Sequence, residues 1–259
     1  MTTSFHPRPK QIQEAQMLAR ELGVPYIKRN RSSLTELFAE YNHASAVIIT
    51  KQDWRYEDHE GHVFFFHPSM SILRIKHILK GEPDSLIASA GIEPGDTVLD
   101  CTLGMGADAI VASFVTGEKG RVVGLESEPA IAAIVRHGLQ TYDSKRKAVN
   151  EAMRRIEVIQ TDYREYLKQC PDQSFDVIYF DPMFRQTIKE SSAMQALKPL
   201  ANHAPLDPES VAEARRVARK AVLLKERVMS GEFERLGFTV IKKAAHYAWG
   251  IITPEEGGK

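Results

Sequence analysis

A chain of 259 residues with 43% hydrophobic and 26% charged side chains has room for one full α/β domain and a smaller appendage, in proportions ordinary for a globular protein. Lys plus Arg and Asp plus Glu each total 34, so the formal net charge is zero and composition announces no polyanionic partner, although a local basic patch can still bind one. Two cysteines, Cys101 and Cys170, are too few for a disulfide framework or a zinc ribbon. The opening MTTSFHPRPK lacks the apolar run of a secretory signal and no stretch is apolar enough to span a bilayer, so a cytoplasmic setting without a membrane partner is expected.

In chain order, residues 11–22 suit an amphipathic helix with Ile12, Ala15, Leu18 and Leu22 on one face. Residues 46–51 read as a strand, and residues 54–56 and 62–66 as a hairpin around Gly61, followed by a helix over 69–80. Residues 1–90 are expected to form a small α+β cap, and residues 91–259 the larger domain. There, strands at 97–102, 121–126, 156–162, 175–181 and 221–226 are β-branched-rich runs bounded by Gly, Pro or polar turns, as buried parallel strands are. Helical stretches separate them, such as 129–142 with Ile131, Ile134 and Leu139 on one face, and one that Asp207-Pro208 begins with an N-cap and a first-turn proline. The alternation predicts a doubly wound α/β sheet of Rossmann type, closed by a short pair of strands with an antiparallel edge.

The first of these strands runs into Asp100-Cys101-Thr102-Leu103-Gly104-Met105-Gly106-Ala107-Asp108. A glycine turn at this place lets backbone approach a ligand and presents the next helix by its N-terminus. Gly104-x-Gly106-x-x-Ala109 also fits the dinucleotide fingerprint. Asp100 favours S-adenosylmethionine: at the strand's end it suits the ammonium of that cofactor, whereas it would repel a pyrophosphate. Glu126, ending the second strand, is placed to accept from ribose hydroxyls, and Asp162, ending the third, to reach the adenine amino group.

The fourth strand ends in Asp181-Pro182-Met183-Phe184, similar to the Asp/Asn-Pro-Pro-Tyr/Phe motif of methyltransferases acting on exocyclic or amide nitrogens. An amino group conjugated with a ring is a poor nucleophile. Asp181 and the Pro182 carbonyl can accept its two N–H bonds and aim its lone pair, while Phe184 offers a face for a planar base.

Together these pieces resemble the RsmJ family, which methylates the N2 of a guanosine in small-subunit ribosomal RNA. The likeness rests on Asp100-x-Thr102-x-Gly104-x-Gly106-x-Asp108-Ala109, Leu125-Glu126-x-x-Pro129, Tyr179-x-Asp181-Pro182-Met183-Phe184, and Lys225 with Arg227 after the fifth strand. It runs from about Leu18 to Ile251, thinly over the first 90 residues. The resemblance implies S-adenosylmethionine as cofactor, RNA as partner, and a cofactor site that includes Ala107, Asp108, Glu126, Ser127, Asp162, Tyr163 and Asp181. It also gives Arg74 and Lys76 basic counterparts, which with Lys225 would hold substrate phosphates. The chain departs from the family where Ala107 replaces a basic residue and Asp162-Tyr163 a serine pair, which leaves the substrate less fixed than the cofactor. Methylation of another RNA, a small molecule or a protein amide remains an alternative, as does binding without catalysis.

Basic runs at Lys145–Lys147 with Arg154 and Arg155, and at Arg215–Lys220, permit nucleic-acid binding without requiring it. Residues 63–66 read as core of the cap. His59, His62 and His67 suit a hairpin surface better than a tetrahedral site, so no metal is expected.

Overall fold

A computed structural model describes residues 1–182 and 204–254. Thr2–Thr3 (β1), Ser45–Ile49 (β2), Trp54–Asp58 (β3) and Val63–Phe65 (β4) form a four-stranded sheet in that order, with β1 parallel to β2 and the other pairs antiparallel. Tyr56 pairs with Phe64, and both are buried while Phe65 faces outward, as a period of two requires. Pro9–Glu21 (α1) and Leu34–Tyr41 (α2) pack on this sheet, whereas Ser69–Ile78 (α3) and Ser85–Ala90 (α4) pack against elements of the larger domain. α1 starts two residues before the expected position because Pro9 occupies its first turn. α2 was not anticipated, although Ser33 and Glu36 form a capping box: Glu36 N donates to Ser33 Oγ at 3.1 Å and Ser33 N to the Glu36 carboxylate at 2.7 Å.

The second sheet contains Thr97–Asp100 (β5), Arg121–Glu126 (β6), Ile156–Gln160 (β7), Phe175–Phe180 (β8), Ala218–Arg227 (β9), Thr239–Lys243 (β10) and Tyr247–Ile252 (β11). Its order is β10-β11-β9-β8-β5-β6-β7. β7, β6, β5, β8 and β9 are parallel, and β11 and β10 add an antiparallel edge, so the doubly wound sheet and its closing pair are both present. The order reverses between β5 and β8, the switch point beyond whose strand ends α/β proteins bind ligands. The helices are Ala107–Thr116 (α5), Pro129–Thr141 (α6), Lys147–Arg154 (α7), Tyr163–Gln169 (α8), Pro208–Val217 (α9) and Glu232–Leu236 (α10). Asp207 caps α9 as expected, its carboxylate accepting from Ser210 N at 2.8 Å. β9 begins three residues early, where Arg219 reaches back to Asp176 on the neighbouring strand at 2.8 Å. Among the described residues, no helix is long and apolar enough to cross a membrane.

One hydrophobic core lies on each face of this sheet. The first joins Val98, Ile110 and Ile134 to Leu18, Ile49, Phe64 and Ile75, so the segment before residue 90 shares its core with the larger sheet. The second gathers Leu99, Val123, Phe180, Leu224 and Phe233. The join is tight on α6, where the Trp54 ring stacks on His137 at 3.9 Å and Phe66 meets Tyr142 edge-on at 5.9 Å. Gly138 makes that approach possible, since a Cβ there would stand 2.2 Å from Phe66 Cγ and 2.4 Å from Phe66 Cβ. Gly138→Ala would gain about 1 kcal/mol of helix propensity. Displacing a buried ring by its own Cβ costs about 1–3 kcal/mol, and the nearness of the Phe66 root puts this case at the upper end. Net destabilisation of roughly 1–2 kcal/mol is expected from these two terms. Denaturant melts would show it as a lowered midpoint, and an unchanged or raised midpoint would refute the close approach.

Candidate active site

The carboxyl ends of the parallel strands open into a cavity of about 840 Å³, large enough for a cofactor together with a planar acceptor. The floor is built by the turn after β5. Asp100 is buried and accepts from Thr102 N at 3.1 Å, while Thr102 Oγ1 accepts from Asp181 N at 2.7 Å, tying the end of β8 to the turn. Gly104 and Gly106 take φ of 48° and 73°, the left-handed region glycine enters without strain. Gly104 N then donates to Glu126 Oε2 at 3.1 Å, and Glu126 Oε1 accepts from Glu128 N at 2.9 Å. The Glu126 carboxylate is thereby held between the glycine turn and the start of α6.

Asp100, Thr102, Gly104, Ala107 and Asp108 line the cavity from β5 and α5; Glu126, Ser127, Asp162 and Tyr163 line it from the next two strand ends; Asp181, Pro182 and Lys225 close it. Gly106 is not among the lining residues and stands just before α5 as its N-cap. Asp162 serves at the same time as the N-cap of α8, accepting from Arg164 N at 2.8 Å. Phe184 lies outside the described residues. Lys76 is exposed and not part of the lining. Arg74 lines the cavity, but its guanidinium is committed to protein carboxylates: Nε and Nη2 donate to the two Asp84 oxygens at 2.8 and 2.9 Å, and Nη1 donates to Asp108. Holding a phosphate is therefore not what these contacts serve. The three histidines go to separate partners, His59 to the Ala44 carbonyl, His62 to Asp58 and His67 to the Tyr142 hydroxyl.

Tyr179, which is buried and not itself a lining residue, and the lining residues Asp84, Tyr247 and Trp249 were not read as site residues from the sequence; Lys225 was, as a holder of substrate phosphate. Tyr179 donates its hydroxyl to Asp108 Oδ2 at 3.0 Å and stacks its ring on Trp249 at 5.8 Å. Lys225 Nζ donates to Asp181 Oδ2 at 2.6 Å, stands 3.9 Å from Asp108 Oδ2, and lies over the faces of Tyr247 and Trp249 at 5.4 and 5.7 Å. Asp84, which also caps α4 by accepting from Leu86 N, completes a chain of alternating charge: Asp84, Arg74, Asp108, Lys225, Asp181.

Burial would lower the Lys225 ammonium, but the facing carboxylates of Asp181 and Asp108 outweigh it and hold the group protonated. Burial likewise pushes Asp108 up, and Lys225 and Arg74 more than reverse the shift, leaving it below the usual carboxylate range. Asp100 goes the other way, raised by burial and by the neighbouring Asp108 charge; burial also raises Glu126, against the pull of its backbone N–H donors. Six acidic side chains line the cavity (Asp84, Asp100, Asp108, Glu126, Asp162, Asp181) against the basic Arg74 and Lys225. That excess of negative charge repels a pyrophosphate and suits a ligand carrying a sulfonium and an ammonium group.

Residues 36–234 match the family model described as "Putative SAM-dependent methyltransferase". The chain belongs to that family. This methyltransferase uses S-adenosylmethionine, and the acidic cavity with its glycine turn fits the cofactor's charge. It is 40% identical over 253 residues to the uncharacterized protein YpiP of Bacillus subtilis, covering 97% of this chain and 98% of that one. It is 27% identical over 231 residues to the ribosomal RNA small subunit methyltransferase J of Coxiella burnetii, covering 86% and 85%. The SAM-dependent methyltransferase NGO1261 from Neisseria gonorrhoeae superposes with a TM-score of 0.62 at 14% identity, over 99% of this chain and 96% of that one, and so shares its fold.

Cofactor binding should be sensitive both to one carboxylate and to pH. Glu126→Ala removes the carboxylate that holds the glycine turn and could accept from ribose hydroxyls, and should weaken S-adenosylmethionine binding by about 1.5–3 kcal/mol in calorimetric titration; unchanged affinity would contradict the assignment. Because Asp100 and Glu126 titrate above their ordinary values in the free protein, they hold protons in the mildly acidic range that a cationic ligand displaces. Affinity should therefore fall as pH is lowered toward the ordinary carboxylate range. Binding heats near the onset of that fall should differ between buffers of different ionisation enthalpy, and buffer-independent heats would refute proton release.

Proposed function

We propose that this methyltransferase acts on an exocyclic amino nitrogen of a nucleic-acid base, the N2 of a guanine in small-subunit ribosomal RNA, which implies a cytoplasmic setting. The observation that carries the reading is the Asp181-Pro182 turn, placed at the end of β8 with its carboxylate on the cavity and its backbone tied to Thr102. The likeness to ribosomal RNA small subunit methyltransferase J supports the choice of ribosomal RNA, and guanine N2 is what the resemblance of the sequence motifs to the RsmJ family implies.

S-adenosylmethionine, when bound, supplies an electrophilic methyl group. Asp100 and Glu126 would hold its ammonium and ribose ends, with Thr102, Gly104, Gly106, Ala107, Asp108, Ser127, Asp162 and Tyr163 shaping the rest of that half of the cavity. Asp181 and the Pro182 carbonyl would accept the two N–H bonds of the acceptor amine, which turns its lone pair out of conjugation. Lys225 fixes the Asp181 carboxylate from the other side and keeps that half of the site from carrying unbalanced negative charge. Phe184 would stack on the base. No strong base is needed before attack, since the amine becomes acidic only as the new bond forms; Asp181 is then the nearest acceptor for the proton. The gain in rate is ascribed mainly to in-line positioning and exclusion of water.

Transfer of labelled methyl to naked 16S RNA, to small subunits and to total tRNA, followed by nucleoside analysis, tests the reading. Label recovered as N2-methylguanosine in ribosomal RNA is the expected result. Label elsewhere in RNA overturns the choice of substrate, and no transfer to any RNA by cofactor-binding protein returns the acceptor to a small molecule or a protein amide.

A further inference from the structure

A substrate base can enter the acidic cavity only if something outside it compensates the phosphates that come along, and neither Arg74 nor Lys225 is available, each being committed to carboxylates. The antiparallel edge of the main sheet supplies what is missing. Lys225 on β9 is directly opposite Trp249 on β11, and Trp249 is directly opposite Lys242 on β10, so these three side chains share one sheet face. The row begins at Asp181 in the cavity and ends at the exposed rim. Tyr247, two residues before Trp249 and so on the same face, lines the cavity and is partly exposed. Lys242 Nζ meets the neutral hydroxyl of Ser85, itself a cavity-lining residue, at 2.8 Å; among the described residues no ion pair of Lys242 with a carboxylate occurs within 4 Å. The exposed Lys243 and His246 stand at the same hairpin.

We infer that this face is the track for the nucleotide next to the target base: its base lies against Tyr247 and its phosphate on the Lys242 ammonium. The inference rests on the RNA reading above and deepens it, adding a sequence-tolerant contact made of one aromatic face and one cation, the combination that holds single-stranded nucleic acid. The charge pattern argues for RNA over an acidic peptide because the aromatic face and the cation lie on one continuous path that leads into a pocket sized for a planar acceptor.

The test uses the full chain and a labelled single-stranded ribosomal RNA fragment, with affinity followed by anisotropy over a range of salt concentrations. Lys242→Ala should weaken binding about fivefold near 0.1 M salt and flatten the slope of log K against log salt by about 0.7. Lys242→Glu should weaken it further, with S-adenosylmethionine affinity unchanged in both. Tyr247→Leu should weaken binding by about fivefold or more with the salt slope unaltered. A fault in folding would not divide the effects in this way. If the wild-type chain binds and methylates the RNA while Lys242→Ala keeps both its affinity and its slope, the track is wrong and the RNA reading stands. If the wild-type chain neither binds nor methylates RNA but modifies a small molecule or peptide, the RNA reading fails and the track with it.

Discussion

Asp181→Ala should lower turnover by about 10²–10³-fold while leaving S-adenosylmethionine affinity within about tenfold, the range lost when a single preorganised polar group at a reacting centre is removed. The backbone of the turn should survive, since Asp181 N to Thr102 Oγ1 does not involve the side chain. Lys225 would lose its contact at 2.6 Å but would still have Asp108 at 3.9 Å and two aromatic faces, so an unpaired cation is not the main consequence. What disappears is the acceptor that orients the amine. The loss should therefore fall on the chemical step, read in single turnovers at saturating cofactor, with little change in cofactor binding by calorimetry. Asp181→Asn keeps one acceptor oxygen but adds a donor facing Lys225, and should lie between wild type and alanine. Wild-type turnover in the alanine variant would remove Asp181 from the mechanism.

The strand ends were legible because buried parallel strands leave a plain signature: short β-branched runs, each closed by an acid or glycine where the chain must turn. Asp100, Glu126 and Asp181 could be placed on one edge from the alternation of strands and helices alone, and all three line the cavity. The aromatic wall could not. Trp249 and Tyr247 reach the site through the register of β11 against β9, and a shift of one residue would turn both to the other face. The role of Arg74 was hidden for a related reason. A sequence shows a cation on a helix, but not that the α3–α4 turn brings Asp84 to both prongs of its fork, nor that α5 presents Asp108 to the third nitrogen. α2 was missed although its capping box stands in the sequence, since eight residues carry too little periodicity to be seen without attending to the cap.

Arg74→Leu should destabilise the fold by about 3 kcal/mol, the lower end of the cost of removing one partner from a buried ion pair. The Arg74 side chain is only 22% exposed, and Asp84 and Asp108 are less exposed still. Without the guanidinium, Asp108 keeps Tyr179 and the more distant Lys225, and Asp84 keeps its backbone cap; these partial replacements keep the cost from the upper end. The same deletion in the Arg121–Glu157 pair, whose side chains are about half exposed, should cost under about 1 kcal/mol. Burial decides the difference, since both pairs have good hydrogen-bond geometry. The carboxylates set the sign of the pH dependence. In the wild type Asp84 and Asp108 are held below their ordinary range, so their contribution is present above about pH 4 and is lost as pH falls through the depressed values. The variant lacks that contribution, and its stability deficit should hold steady from neutrality to about pH 4 and narrow below it, measured by urea melts carried from neutrality to below about pH 4. A second effect should reach the active site: with Arg74 gone, Asp108 draws harder on Lys225, which then holds Asp181 less firmly. Turnover should fall in Arg74→Leu under conditions where the variant is fully folded, and Arg121→Leu should leave it unchanged. A folded Arg74→Leu with wild-type turnover and a deficit constant with pH would show that the chain from Asp84 to Asp181 does not act as one unit.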